Sequence, residues 1–394
     1  MKCRARSLGS AAFVAAAVLA CAQPTMNIPD AGVAIPHTCT MPEPDYAAVF
    51  GRVLAAHPDF SGRIIVERCG HVIYDQATGM ADRAHSTPVD KTTLFDLGSL
   101  AKSLTAASIL ALVDDGRLAL DDTLGVFVSG LDHEKSAISL RQLLTHTSGI
   151  PESPWEDGEA VSNEEFLAWL RAAPLDFEPG TEWEYSNAGY SLLALIVEQR
   201  SGEPLEHFWR SRFLDPAEIP DLGYRAPHGP LAANYLADGS ATAAQRSGNW
   251  APDGPYINLL GNGGLLGTPL AFLHWFDAVS SGQLLSDDST GALFSAQVRT
   301  GKADEAYGFG WRIIEREPGL SIEHGGSNGA SFYAALRNYR SADATLVFAT
   351  NSFDPAAIRD VFAAFDDSCI VPACDLADVC HEIARGNADE FTRR

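Results

Sequence analysis

The stretch Leu94-Phe95-Asp96-Leu97-Gly98-Ser99-Leu100-Ala101-Lys102 decides how the rest of the chain is read. Gly98 loosens the backbone, Ser99 opens a helical run, and Asp114-Asp115-Gly116 closes it with a glycine suited to a C-cap. Between Ser99 and Val113 the only charged residue is Lys102. A run apolar nearly all round belongs to a buried helix. Ser99 and Lys102 are three apart, so they share one face a turn from the helix N-terminus. Burial disfavours the charged ammonium, which makes Lys102 a proton acceptor for a nearby hydroxyl. The amides of the helix start add donors where negative charge develops. Ser-x-x-Lys also arises by chance, and a lysine snorkelling from a core helix explains the same residues.

Working outward, Tyr46–Ala56 reads as an amphipathic helix. Ser61–Glu67 and His71–Gln76 are β-branched runs separated by Arg68-Cys69-Gly70, a hairpin signature. Downstream, Arg141–Ile150 ends a short helix in a turn. There His146 reads as a loop histidine satisfying backbone groups, with a ligand or base as the alternative. Asn163–Ala172 and Tyr190–Arg200 are helical, and residues 225–262 form a long loop region of the kind that walls a binding site. From Tyr307 the pattern turns to strands at Phe309–Ile314, Leu320–Glu323, Ser331–Leu336 and Thr345–Thr350, followed by a helix over Asp354–Phe365. Strands at both ends with helices between predict an α/β (α+β) domain over residues 45–366. Its sheet is built from about 45–97 and 303–366, with an all-helical lobe inserted over about 98–302.

The flanks differ in character. Lys2, Arg4 and Arg6 precede the small, apolar run Ala11–Ala20, which is the pattern of an export signal. Val18-Leu19-Ala20-Cys21 resembles a bacterial lipobox, with Cys21 lipidated and residues 22–44 serving as a tether. Simple cleavage near Ala20–Ala22 is the alternative. The implied location is the cell envelope (the periplasm), with membrane contact through the N-terminal lipid only. Residues 367–394 form an acidic, cysteine-bearing tail. Cys39, Cys69, Cys369, Cys374 and Cys380 predict one or two disulfides, with Cys39–Cys69 the preferred pair. Cys374, Cys380 and His381 fit no zinc spacing well. A formal net charge of −23 argues against nucleic acid as a partner.

Two further stretches carry chemistry. Glu184-Tyr185-Ser186-Asn187 places Tyr185 and Asn187 two apart, so an extended segment would point both the same way. A lysine beside Tyr185 would favour its phenolate as a proton relay, and Asn187 offers a donor and an acceptor for lysine and substrate together. Glu323-His324-Gly325-Gly326-Ser327-Asn328-Gly329 stands at the end of a predicted strand, and its glycines let a substrate lie along the backbone. The amides of Ser327 and Ser99 could then form an oxyanion hole. Each stretch has a plain reading as well, a half-buried tyrosine and a glycine-rich turn.

Together these motifs resemble the serine β-lactamase and penicillin-recognising DD-peptidase superfamily, in its class C-like branch of esterases and D-amino-acid peptidases. Ser99-x-x-Lys102 is similar to its first motif and Tyr185-Ser186-Asn187 to the tyrosine form of its second. His324-Gly325-Gly326 stands at the third with histidine in place of lysine. Leu143–Gly149, Pro179-Gly180 and Gly263-Gly264-Leu265 agree in order and spacing. The resemblance implies a β-lactamase-like fold with an acylated Ser99, Lys102 and Tyr185 sharing general-base duty, and Asn187 orienting lysine and substrate. It implies no metal or organic cofactor.

Gly325-x-Ser327-x-Gly329 also matches a nucleophile elbow, but a strand rather than a helix is predicted after it, and His381 is the only later histidine. A non-catalytic binder of cell-wall peptide is a further alternative. Histidine, with an ordinary pKa of about 6.5, holds a carboxylate less firmly than lysine. Esters are therefore the expected substrates, ahead of D-amino-acid peptides and β-lactams.

Overall fold

The computed structural model describes residues 44–225, 227–242, 250 and 254–369. Helix α1 (Tyr46–Ala56) begins where the pattern placed it, with the Asp45 carboxylate accepting the Ala48 N–H at 3.0 Å. Strands β1 (Gly62–Arg68) and β2 (His71–Thr78) form the expected hairpin. Its turn residues Cys69 and Gly70 both have positive φ, at 49° and 72°, as a tight two-residue hairpin turn requires. Cys69 is disulfide-bonded, and Cys369 is free and buried. The partner of Cys69 therefore lies outside the described residues, as do Cys21, Cys39, Cys374, Cys380 and His381.

After the short pair β3 (Met80–Asp82) and β4 (Thr87–Pro88), β5 (Phe95–Gly98) runs into α2 (Ala101–Asp114). Regular helix starts two residues after Ser99, which lies on the tight turn leading in, its carbonyl accepting the Lys102 N–H at 3.1 Å. Every residue of α2 from Ala101 to Leu112 is buried, and Gly116 ends it with φ 67°. The lobe that follows contains α3 (His133–Ser136), α4 (Leu140–Leu144), α5 (Asn163–Ala172), α6 (Asn187–Ser201) and α7 (Leu205–Trp209).

The lobe departs from the all-helical expectation in two ways. Strands β6 (Leu222–Gly223) and β7 (Leu265–Gly267) pair with β5 in the order β5-β7-β6, because the strand entering α2 has backbone groups that need partners. Helix α8 (Pro269–Ser280) packs on β1 and on the last strand of the main sheet, and α9 (Asp287–Leu293) packs on α2.

Strands β8 (Val298–Arg299), β9 (Glu305–Tyr307), β10 (Arg312–Arg316), β11 (Gly319–Ser327), β12 (Tyr333–Tyr339) and β13 (Ala344–Thr350) complete the sheet. Its order is β2-β1-β13-β12-β11-β10-β9-β8, antiparallel throughout. The two chain ends thus meet at β1–β13, as expected, although the sheet starts at 298 rather than 303. All seven residues of β13 are buried, so both faces need cover. One face packs Ile64, Val66, Leu346 and Phe348 under α1 and α10 (Pro355–Ser368). Helix α8 lies against the same strands from the lobe side, which is why it leaves the lobe.

Candidate active site

Three elements converge on Ser99: the β5–α2 junction, the loop entering α6, and the end of β11. The approach between β11 and the junction is close. A Cβ on Gly326 would lie 1.9 Å from the Leu97 carbonyl oxygen and 2.9 Å from the Ser99 nitrogen, so glycine is required there. A Cβ on Gly98, where φ is 49°, would in turn lie 3.1 Å from the Ser327 nitrogen. The amides of Ser99 and Ser327 therefore flank one contact.

Lys102 is fully buried and donates to Ser99 Oγ at 3.2 Å, Asn187 Oδ1 at 2.7 Å and the Asn262 carbonyl at 2.6 Å. All three of these acceptors are neutral. Burial brings its pKa down to about 7, with the charges of Glu152 and Asp157 acting against that fall. Asn262 is held in turn, its side-chain amide donating to Ser191 Oγ and the Asn258 carbonyl.

Tyr185 lies beside Ser99, near enough for the two hydroxyls to act on each other, and presents its ring face 4.7 Å from Lys102 Nζ. The expectation of a favoured phenolate is overturned. Loss of water around the hydroxyl dominates and pushes its pKa up, so the phenol is protonated at rest. Asn187 reaches Lys102 as expected, but from the first turn of α6 rather than from an extended segment. Ser186 caps that helix by accepting the Gly189 N–H at 3.1 Å, and the Glu152 carboxylate accepts the Asn187 N–H at 3.0 Å.

His324 and Gly325-Gly326 lie within β11 rather than beyond its end. The imidazole is buried, with Nε2 3.2 Å from the Tyr307 hydroxyl and Nδ1 2.8 Å from the Gly325 carbonyl. Burial, helped by the charges of Arg312 and Lys102, lowers its pKa to about 3, so it is neutral across the physiological range. Ser327 ends β11 and a turn into β12 follows. Its hydroxyl donates to the Phe332 carbonyl and accepts the Gly329 N–H. That is neither the strand-to-helix elbow nor a free nucleophile, so the elbow alternative fails.

Sequence reading missed the charged wall of this cleft, which has a volume of about 480 Å³ and includes Ser99, Tyr185, His324 and Arg312 in its lining. Arg312 is ion-paired with Glu305, which also accepts from Lys302 at 3.0 Å. Glu305 is buried, whereas Arg312 is partly open. His146, read as a loop residue bonded to backbone, does accept the Ser186 N–H at 3.1 Å, and its ring lies among those of Tyr185, Tyr190 and Tyr307. No periodicity flags the His146 contacts, since they join residues 39 to 161 positions apart.

The chain is similar to known proteins to differing extents. Penicillin-binding protein 4* of Bacillus subtilis (strain 168) is 26% identical over 312 residues, covering 74% of this chain and 68% of that protein. Esterase EstB of Burkholderia gladioli is 32% identical over 197 residues, covering 45% and 50%. The crystal structure of the D-amino acid amidase of Ochrobactrum anthropi SV3 superposes with a TM-score of 0.69 at 20% identity, over 82% of this chain and 99% of that one, a likeness of fold. The Beta-lactamase family model matches residues 51–366. With that match spanning both ends of the sheet and the whole cleft, the chain belongs to the Beta-lactamase family and is a serine hydrolase.

Proposed function

We propose that the chain cleaves uncharged esters through a Ser99 acyl-enzyme. The observation carrying this is the buried Lys102 amine 3.2 Å from Ser99 Oγ, with neutral Asn187 and Asn262 oxygens as its other acceptors. In this reading the neutral amine accepts the Ser99 proton as Oγ bonds to the substrate carbonyl carbon. The amides of Ser99 and Ser327 bind the oxyanion. As the tetrahedral intermediate collapses, Tyr185 gives its proton to the departing alkoxide and regains one from the Lys102 ammonium. Water then attacks the acyl carbonyl by the reverse relay, its proton returning to Ser99. The high pKa of Tyr185 and the low one of Lys102 favour the lysine as first acceptor.

Substrate preference follows from charge. A neutral His324 and an Arg312 already occupied by Glu305 leave little to attract a carboxylate, which β-lactams and DD-peptides carry and simple esters lack. A serine-directed phosphonate should label the wild type and not Ser99→Ala. Side-by-side kinetics on p-nitrophenyl butyrate, a chromogenic cephalosporin and a D-alanyl dipeptide test the preference. A higher kcat/KM for the cephalosporin than for the ester defeats it.

One observation supports a second reading, hydrolysis of D-amino-acid amides or peptides. The exposed Glu152 carboxylate sits on the Asn187 amide, close enough to act on Lys102 and Tyr185, where it could receive a substrate ammonium. A free D-alanyl anilide turned over faster than its N-acetyl derivative would favour this reading. We also propose export with Cys21 lipidated, supported by the basic and apolar N-terminal pattern. Mass spectrometry of the native N-terminus tests it, and an unmodified start near Ala22 ends it.

A further inference from the structure

His146 does not reach the reacting atoms, yet it is fastened to the residues that do. It follows α4 with φ 60°, a left-handed conformation that few side chains tolerate. From there it holds residues 184–186 at two points. Its carbonyl accepts the Glu184 N–H at 3.0 Å, and its Nδ1 accepts the Ser186 N–H at 3.1 Å. Tyr185 lies between the two bonds. The imidazole ring is packed at centroid distances of 4.4 Å from Tyr185, 4.6 Å from Tyr307 and 5.0 Å from Tyr190, with Trp183 at 6.0 Å.

Because Nδ1 accepts, the ring proton is on Nε2, which is buried without a hydrogen-bond partner among the described residues. Nature ordinarily avoids such an atom, so the arrangement trades a satisfied ring nitrogen for a fixed acceptor. A second proton would turn Nδ1 into a donor facing the Ser186 N–H. Burial, with the charges of Lys102 and Arg312, holds the imidazole neutral and so prevents this. Ser186 is also the cap of α6, so the same bond sets the start of the helix that carries Asn187.

We propose that His146 is a positioning residue which, through the Glu184 and Ser186 amides, sets the Tyr185 hydroxyl against Ser99 and the Asn187 amide against Lys102. The proposal rests on the reading of Tyr185 as the proton relay. Loss of the Nδ1 acceptor should let residues 184–187 shift, lowering kcat while the substrate-binding walls on β10 and β11 stay in place.

The test is a cycle of His146→Leu, Tyr185→Phe and the double variant on p-nitrophenyl butyrate. Tyr185→Phe should lose on the order of 10²–10⁴-fold in kcat. His146→Leu should lose about 10²-fold with KM within about threefold, and the double variant should fall within about threefold of Tyr185→Phe alone. Losses that multiply, or a folded His146→Leu with full kcat, overturn the proposal. A Tyr185→Phe enzyme of normal rate overturns instead the relay on which it rests. Should His146→Leu not fold, His146→Asn and His146→Gln decide. Asparagine tolerates the left-handed backbone and carries its acceptor at the same branch as Nδ1, whereas glutamine carries it one bond further. Asn should exceed Gln by about tenfold in kcat, and equal or reversed rates overturn the proposal.

Discussion

Lys102 and Arg312 are cations on different walls of one cleft, and they are treated in opposite ways. Lys102, on the helical wall, is buried among neutral acceptors, and its pKa falls to about 7. Arg312, on the strand wall, is partly open and tied to a buried carboxylate. The first arrangement yields an amine that can take and return a proton near neutrality. The second yields a charge that is cancelled before any substrate arrives. Proton traffic and recognition are thereby separated, although both depend on a basic side chain within reach of the same serine.

The largest loss of activity is expected on the helical wall. Lys102→Met should lower ester kcat by on the order of 10⁴-fold or more, since groups that act as a unit fail together, with the fold intact by circular dichroism. A loss under tenfold would detach the lysine from catalysis. The wild type offers a gentler version of this test. Its base form exists above the lowered pKa, so kcat/KM should be full above about pH 8, half-maximal near 7 and fall about tenfold per unit below 6. His324, at about 3, and His146, held well below its ordinary value, cannot supply that limb.

The strand wall should respond in selectivity rather than in rate. Glu305→Gln releases Arg312 and should raise kcat/KM for a hemisuccinate ester relative to the butyrate by about tenfold, the scale of one charge-assisted hydrogen bond at a partly open site. An unchanged ratio would mean that cleft shape rather than charge sets the preference.

The smallest effect concerns Asp96, on the strand leading into the helical wall. Its Oδ1 accepts the Gly98 N–H at 3.0 Å, while Oδ2 is buried with no hydrogen-bond partner among the described residues. Burial raises its pKa to about 8. The folded state therefore binds the proton more tightly than the unfolded one, so this contribution is full below about pH 4 and lost as pH rises through 8. Asp96→Asn should remove part of that decline and raise Tm at pH 8 by roughly 3–6 °C, with little change at pH 4. Glu67 and Asp277, hydrogen-bonded to each other and also raised, leave a residual slope.

Local pattern exposed much of this architecture before any geometry. Helix α1 has the limits its periodicity assigns, and the hairpin turns at Cys69-Gly70 as the residues require. Ser99, Lys102, Tyr185 and Asn187 were legible because each lies in a motif of adjacent residues. What escaped was set by tertiary contact. Helix α8 belongs with the sheet because a strand buried on both faces had to be covered, which its own sequence does not reveal. Tyr185 is a phenol rather than a phenolate because desolvation outweighs the nearby cation, and desolvation has no local signature. The Asn262 carbonyl and Glu305 carry no motif, since one acts through backbone and the other through its partner.

The pairing of β1 with β13 has a consequence for the birth of the molecule. Ile64 is registered against Phe348, about 280 residues later in the chain. At a synthesis rate of about 5–20 residues per second, the first hairpin waits roughly 15–60 seconds before its second neighbour exists. Throughout that interval the Ile64-Ile65-Val66 run has β2 on one side and an unsealed edge on the other. Arg63, Glu67 and Arg68 bracket the run with charge, as gatekeepers against pairing with a foreign strand. In the folded chain β13 closes that edge.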